Sequence, residues 1–131
     1  MFSHITVGTT DITRAMRFYD AVLGAIGITQ FAHRHKPERL LYKKTHSDSD
    51  VMFCVYTPIN GELATMGNGV MVAFTAETRE QVDAFYANAR ASGGTDEGAP
   101  GLRPHYSPNY YGAYVRDPDG NKIHCVCDNA A

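Results

Sequence analysis

A chain of 131 residues, 44% hydrophobic and 20% charged, is the size of a single domain and can bury a proper core without disulfide staples. Its formal net charge of -2, with both signs spread along the sequence, leaves no basic face for nucleic acid and no polybasic patch for a membrane surface. No apolar run approaches a membrane span and the first residues lack the basic-then-apolar pattern of a signal peptide, so the expectation is a cytoplasmic protein.

In chain order, His4 to Val7 reads as a short strand. Thr10 or Asp11 then caps a helix whose apolar stripe is Ile12, Ala15, Met16, Tyr19, Val22 and Leu23, stopped around Gly24 to Gly27. Strand-like segments follow at Ile28 to His33, Leu40 to Lys44 and Val51 to Tyr56, and Thr57 to Gly69 is a Pro- and Gly-bearing linker. Met71 to Phe74 is the next strand. Thr78, with Gln81 three residues on, opens a second helix carrying Val82, Phe85, Tyr86 and Ala89, ended by Gly93-Gly94. A short strand near Thr95, a long loop from Gly98 to Asn109, and strands at Tyr110 to Arg116 and Lys122 to Cys127 complete the chain. Cys54, Cys125 and Cys127 are odd in number and lack a C-x-x-C spacing, and so read as buried thiols.

The second half repeats the first. At an offset of 67 (71 minus 4) His4-Ile5-Thr6-Val7 falls on Met71-Val72-Ala73-Phe74, Phe18-Tyr19 on Phe85-Tyr86, and Gly27 on Gly94. The last strands align at an offset of 71 (125 minus 54), which sets Cys54 on Cys125 and Phe53 on His124, after the turn-like Asp48-Ser49-Asp50 and Asp119-Gly120-Asn121. One domain spanning 1–131, with repeats at 1–60 and 66–131, is expected. Each repeat has one helix to cover one face of its sheet, so the two uncovered faces are expected to curl around a shared pocket.

Strand alternation puts His4 and Thr6 on one face and the apolar Ile5 and Val7 under the helix. The same reasoning sends Met71 and His124 away from the helices, with Phe53 as the counterpart of His124. His4, Phe53, Met71 and His124 are therefore expected to converge on one cleft. Two inward imidazoles are credible ligands for zinc, iron or nickel, although catalytic zinc usually has three protein ligands. In the loop and the strand after it, His105, Tyr106, Tyr110 and Tyr111 read as a substrate wall, with one of the adjacent tyrosines facing the pocket and the other packing.

These residues carry a resemblance to the vicinal-oxygen-chelate superfamily, which includes glyoxalase I, extradiol dioxygenases, and the fosfomycin- and bleomycin-resistance proteins. The carrying pieces are His4-Ile5-Thr6-Val7, Arg17-Phe18-Tyr19-Asp20-Ala21-Val22-Leu23-Gly24, Gly69 to Phe74, and Asp117-Pro118-Asp119-Gly120-Asn121-Lys122-Ile123. The resemblance implies an α+β fold of two βαβββ modules forming an open half-barrel around one cleft. In catalytic members, that cleft holds a divalent metal that chelates two substrate oxygens. It also implies a homodimer. Of the usual ligands, His4 matches the first histidine, Met71 replaces the second, and His124 replaces a glutamate. A thioether is soft and uncharged and cannot stand in for imidazole at a hard ion, and losing the carboxylate removes compensating charge.

The expected function is a small-molecule-binding protein with a degraded metal site, taking an aromatic or planar oxygenated ligand against Phe53, Met71, His105, Tyr110 and Tyr111. Its cofactor is either none or a weakly held divalent ion (Zn, Ni, Mn or Fe) on His4 and His124. The alternative is a metal-dependent lyase, isomerase or dioxygenase using that His4/His124 site. A structural or regulatory domain without a ligand is the blandest reading.

Overall fold

A computed structural model describes residues 1–45 and 51–131. The first module runs β1 (His4–Gly8), α1 (Ile12–Gly24), β2 (Ile28–Arg34), β3 (Arg39–Lys44) and β4 (Met52–Tyr56). The second runs β5 (Met71–Thr75), α2 (Arg79–Ala91), β6 (Thr95–Leu102), β7 (Tyr111–Arg116) and β8 (Lys122–Cys127). The sheets have orders β1-β4-β3-β2 and β5-β8-β7-β6, with the first strand of each module parallel to its last. This is the expected α+β fold of two βαβββ modules. The turn expected at Asp48 to Asp50 lies outside the described residues.

The helices start where their caps place them. The Asp11 carboxylate accepts from the Arg14 N–H at 3.0 Å, and the Thr78 hydroxyl accepts from the Gln81 N–H at 3.2 Å. The Gln81 side chain reaches back to the Glu77 N–H at 2.8 Å. Each helix buries its apolar stripe on its own sheet, and the two helices also pack together, with the Asn88 amide donating to the Ala21 carbonyl at 2.8 Å. Gly94 is required there: a Cβ would lie 2.8 Å from the Ala89 carbonyl oxygen and 2.9 Å from both the Arg116 carbonyl oxygen and the Phe18 ring.

The Asp117-to-Asn121 turn ties the modules together. Asp119 accepts from the Thr9 hydroxyl at 2.6 Å, the Thr10 N–H at 2.9 Å and the Arg14 guanidinium at 2.8 Å, and the Asn121 amide donates to the Gly8 carbonyl at 2.9 Å. Beneath it the Tyr19 hydroxyl donates to Asp117 at 2.5 Å in the buried interior, and burial is the main force raising the pKa of both groups. The Phe53 and Phe74 rings, 5.1 Å apart, make one continuous core of the two modules.

Two sequence expectations need correction. Thr6 pairs with Cys54 and Ala73 pairs with His124, so the last strands are equivalent at an offset of 70 (124 minus 54), not 71. A one-residue slip exchanges the faces of a strand. Cys54 is thus the counterpart of His124, while Phe53 is the counterpart of Ile123 and lies on the helix side, its ring 5.1 Å from that of Tyr19. The second correction concerns the loop from Gly98: β6 extends to Leu102, its pairing with β7 interrupted by register shifts around Gly98.

Candidate ligand-binding site

His124 is where the superfamily resemblance expects a carboxylate, and its surroundings decide what the site can do. The side chain stands on the face of β8 away from the helix but leans over β7 and is fully buried. Gly112 on β7 makes the room, since a Cβ there would fall 2.6 Å from the imidazole Cε1. The ring stacks on Tyr114, with centroids 4.0 Å apart and planes 6° from parallel.

Both nitrogens are engaged. Nδ1 lies 2.8 Å from the Ala113 carbonyl, which can only accept, so the proton is on Nδ1. Nε2, 2.7 Å from the Tyr110 hydroxyl, is then an acceptor for the phenol. Burial is the largest influence on His124 and lowers its pKa. The Ala113 contact opposes this, and the charges of Arg103 and Lys122 add to the lowering. The imidazole is therefore held neutral as one tautomer, with its metal-binding lone pair taken.

The aromatic wall continues outward. Tyr110 and Tyr106 rings are 5.0 Å apart and Tyr106 and His105 rings 4.2 Å apart, with both outer residues exposed. The cationic groups of Arg103 and Lys122 lie 5.7 Å and 5.4 Å from the Tyr114 ring centroid. Arg103 is steadied by the Ala99 carbonyl at 2.8 Å. Burial raises the pKa of Tyr110 and of Tyr114, so both phenols stay protonated at neutral pH.

Other sequence candidates lie elsewhere. Tyr111 turns to the helix side, where its hydroxyl donates to Asp83 at 2.6 Å under the Arg79 guanidinium. His4 is exposed on β1 with Nδ1 2.9 Å from the Ser3 hydroxyl, and Met71 begins β5 with 42% of its surface exposed. Among the described residues, neither His4 nor His124 belongs to a group of three His, Cys, Asp or Glu side chains within ligating distance. Met71 offers only a thioether, so the side chains of this chain do not fit a hard divalent ion at that place. Phe53 instead lines an apolar cleft of about 520 Å³ at the module junction, with Ile5, Tyr42, Met52, Val72 and Phe74, flanked by Lys43, Lys44 and Glu77.

The sequence reading misses Tyr114, Gly112, Arg103 and Lys122 as parts of the wall. Tyr114 and Gly112 could have been found by continuing strand alternation from His124 onto its neighbour β7. The two cations carry no sequence signal.

The model of the glyoxalase/bleomycin resistance protein/dioxygenase superfamily matches residues 1–125. Among solved structures, a glyoxalase/bleomycin resistance protein from Albidiferax ferrireducens T118 is 43% identical, with a TM-score of 0.83 over 97% of this chain and 98% of that one. Glyoxalase I from Zea mays is 19% identical with a TM-score of 0.74, covering 96% of this chain and 45% of that one. A genomically encoded fosfomycin resistance protein from Listeria monocytogenes is 15% identical with a TM-score of 0.67, covering 97% and 92%. Comparison with curated proteins finds no match.

Proposed function

The chain belongs to the glyoxalase/bleomycin resistance protein/dioxygenase superfamily, and from that premise we propose that it is a small-molecule-binding member that takes an aromatic or planar oxygenated ligand without a catalytic metal. One observation carries the reading. The residue at the carboxylate position, His124, is neutral, buried, bonded at both nitrogens and stacked on Tyr114, so it acts as wall rather than as ligand to an ion. Tyr106, Tyr110 and His105 extend that wall, and Arg103 and Lys122 supply positive charge for ligand oxygens. Any divalent ion on His4 is held weakly, because imidazole alone is a poor site.

The protein acts as a homodimer in this proposal. β1 and β5 each stand at the edge of a sheet, and Phe2, Val70 and Met71 next to those edges are exposed apolar side chains. A cytoplasmic location is in keeping with three free, buried thiols. Among the described residues, no helix is long and apolar enough to cross a membrane.

The test is binding of 8-anilinonaphthalene-1-sulfonate, a planar aromatic anion, to chelator-treated protein. Saturable binding that weakens in Tyr110→Ala and Arg103→Ala supports the proposal. Stoichiometric metal retained through purification, with binding dependent on it, would instead favour a metal-dependent lyase, isomerase or dioxygenase.

A further inference from the structure

The β2–β3 hairpin gathers three donor side chains that take no part in the aromatic wall. His33 Nε2 lies 3.1 Å from Glu38 Oε2, and His35 Nδ1 lies 3.5 Å from the same oxygen. The two imidazole rings are 4.9 Å apart, and the three donor atoms fall within 4.8 Å of one another. We propose that His33, His35 and Glu38 form a surface site for a divalent late first-row transition metal, zinc foremost.

Geometry is the first support. Zinc bonds of about 2.0 to 2.1 Å in a tetrahedron set donor atoms about 3.3 Å apart. The two contacts to Glu38, at 3.1 and 3.5 Å, bracket that edge. The donor set is the second support: two imidazoles and a carboxylate suit zinc, nickel or copper, and the single negative charge offsets half that of the ion. The fourth position faces water, since the His35 side chain is 69% exposed.

The hairpin is also held before any ion arrives. Arg39 donates from Nη1 to the Pro37 carbonyl at 2.8 Å and to the His35 carbonyl at 3.3 Å, closing the turn. The Thr57 N–H and hydroxyl both donate to the Glu38 carbonyl, at 2.9 and 3.0 Å, fixing the arm that carries the carboxylate. With both arms pinned, the ion has only side-chain rotations to order. Arg34, Lys36 and Arg39 flank the three donors along the chain, and their positive charge opposes the ion and lowers its affinity. The site is independent of His4, because β2 and β1 are opposite edges of the sheet order β1-β4-β3-β2.

The experiment is calorimetric titration of zinc chloride into the chelator-treated chain, repeated with Glu38→Gln and with a His33→Ala/His35→Ala double variant. Cobalt(II) broadening of amide resonances in the unmodified chain gives the location. The expected result is one equivalent of zinc, with broadening centred on residues 33–39. Binding should weaken by about tenfold or more in Glu38→Gln, at least the effect seen when an outer-shell partner is lost, and vanish in the double variant. Glu38→Gln keeps the side-chain shape and the Thr57 anchor, so it tests the donor without breaking the turn. Absence of binding up to millimolar zinc, binding retained in the double variant, or broadening centred elsewhere would each overturn the proposal and leave the three side chains as a hairpin ion pair.

Discussion

The Tyr110 hydroxyl donates a hydrogen bond to Nε2 of His124 across 2.7 Å, and the Nδ1–H on the other side of the ring donates to the Ala113 carbonyl at 2.8 Å. The imidazole is therefore fixed in place, tautomer and charge by two groups on, or just before, the neighbouring strand. Removing the phenol in Tyr110→Phe leaves a buried acceptor without its donor. The expected cost is about 1 to 3 kcal/mol in chemical denaturation, together with a change in the Nε2 chemical shift of His124 in nitrogen NMR. An unchanged shift would mean that the two residues are not bonded in solution.

The depressed basicity of His124 gives a pH dependence of definite sign. Its folded pKa lies below the ordinary value because burial penalises the charged ring. The unfolded chain therefore takes up the proton first, and this stability term is complete above about pH 6.5 and lost as pH falls below it. The slope is at most about 1.4 kcal/mol per pH unit for one group. Urea unfolding at pH 7.5 and pH 5.5 should show the loss in the unmodified chain and a smaller one in His124→Phe. Equal losses in both would assign the acid sensitivity to other groups.

Gly112 is the space in which that imidazole lies. In Gly112→Ala the new methyl group would meet His124 Cε1 at 2.6 Å and the Cys125 carbonyl oxygen at 3.2 Å, and the carbonyl belongs to a paired strand. Overpacking of this kind costs about 1 to 3 kcal/mol. The expected outcome is a lower thermal midpoint and weaker binding of the anilinonaphthalene probe. A wild-type midpoint would show that the ring leans elsewhere.

The two helices, the repeat and the D-P-D-G-N turn were legible because each has a local cause: a cap, an apolar stripe or a fixed turn chemistry. The position of Phe53 was not. Identical cysteines at 54 and 125 favour a register one residue too long, and in a two-residue period that error turns Phe53 from the helix side of its sheet to the face that carries His124. The wall was half legible. Tyr110 and His105 stood out by residue type, but the lean of His124 over β7 depends on Gly112, a cross-strand neighbour that no local pattern connects to it. Likewise His33, His35 and Glu38 meet only because the hairpin folds back on itself.

The junction between modules rests heavily on one carboxylate. Asp119 is nearly buried and accepts from two hydroxyls, a backbone N–H and the Arg14 guanidinium, all on the first module. Asp119→Ala strands those donors, and hydrogen bonds to a charged group contribute about 1.5 to 3 kcal/mol each in favourable cases. A loss of about 2 to 4 kcal/mol in urea denaturation is expected, and a loss of less than about 0.5 kcal/mol, the range of ordinary surface substitutions, would show that the turn is not what joins the modules.

The metal-poor reading of the cleft predicts that a metal site can be rebuilt there. Met71→His replaces a soft thioether by imidazole, and His124→Glu supplies a carboxylate that, unlike the imidazole, cannot donate to the Ala113 carbonyl and so has no bond holding it over β7. Both changes are made in a His33→Ala/His35→Ala background, so that the hairpin does not contribute. Together with His4 they offer two imidazoles and a negative charge to one ion if the edges of β1 and β5 meet in a dimer. Calorimetric titration with nickel or zinc should show the double change binding more tightly than either single change, and dilution below the dimer's dissociation range should abolish the gain. Enhanced affinity that survives in a monomer would place the site within one chain, and no enhancement at any concentration would mean that these positions do not converge.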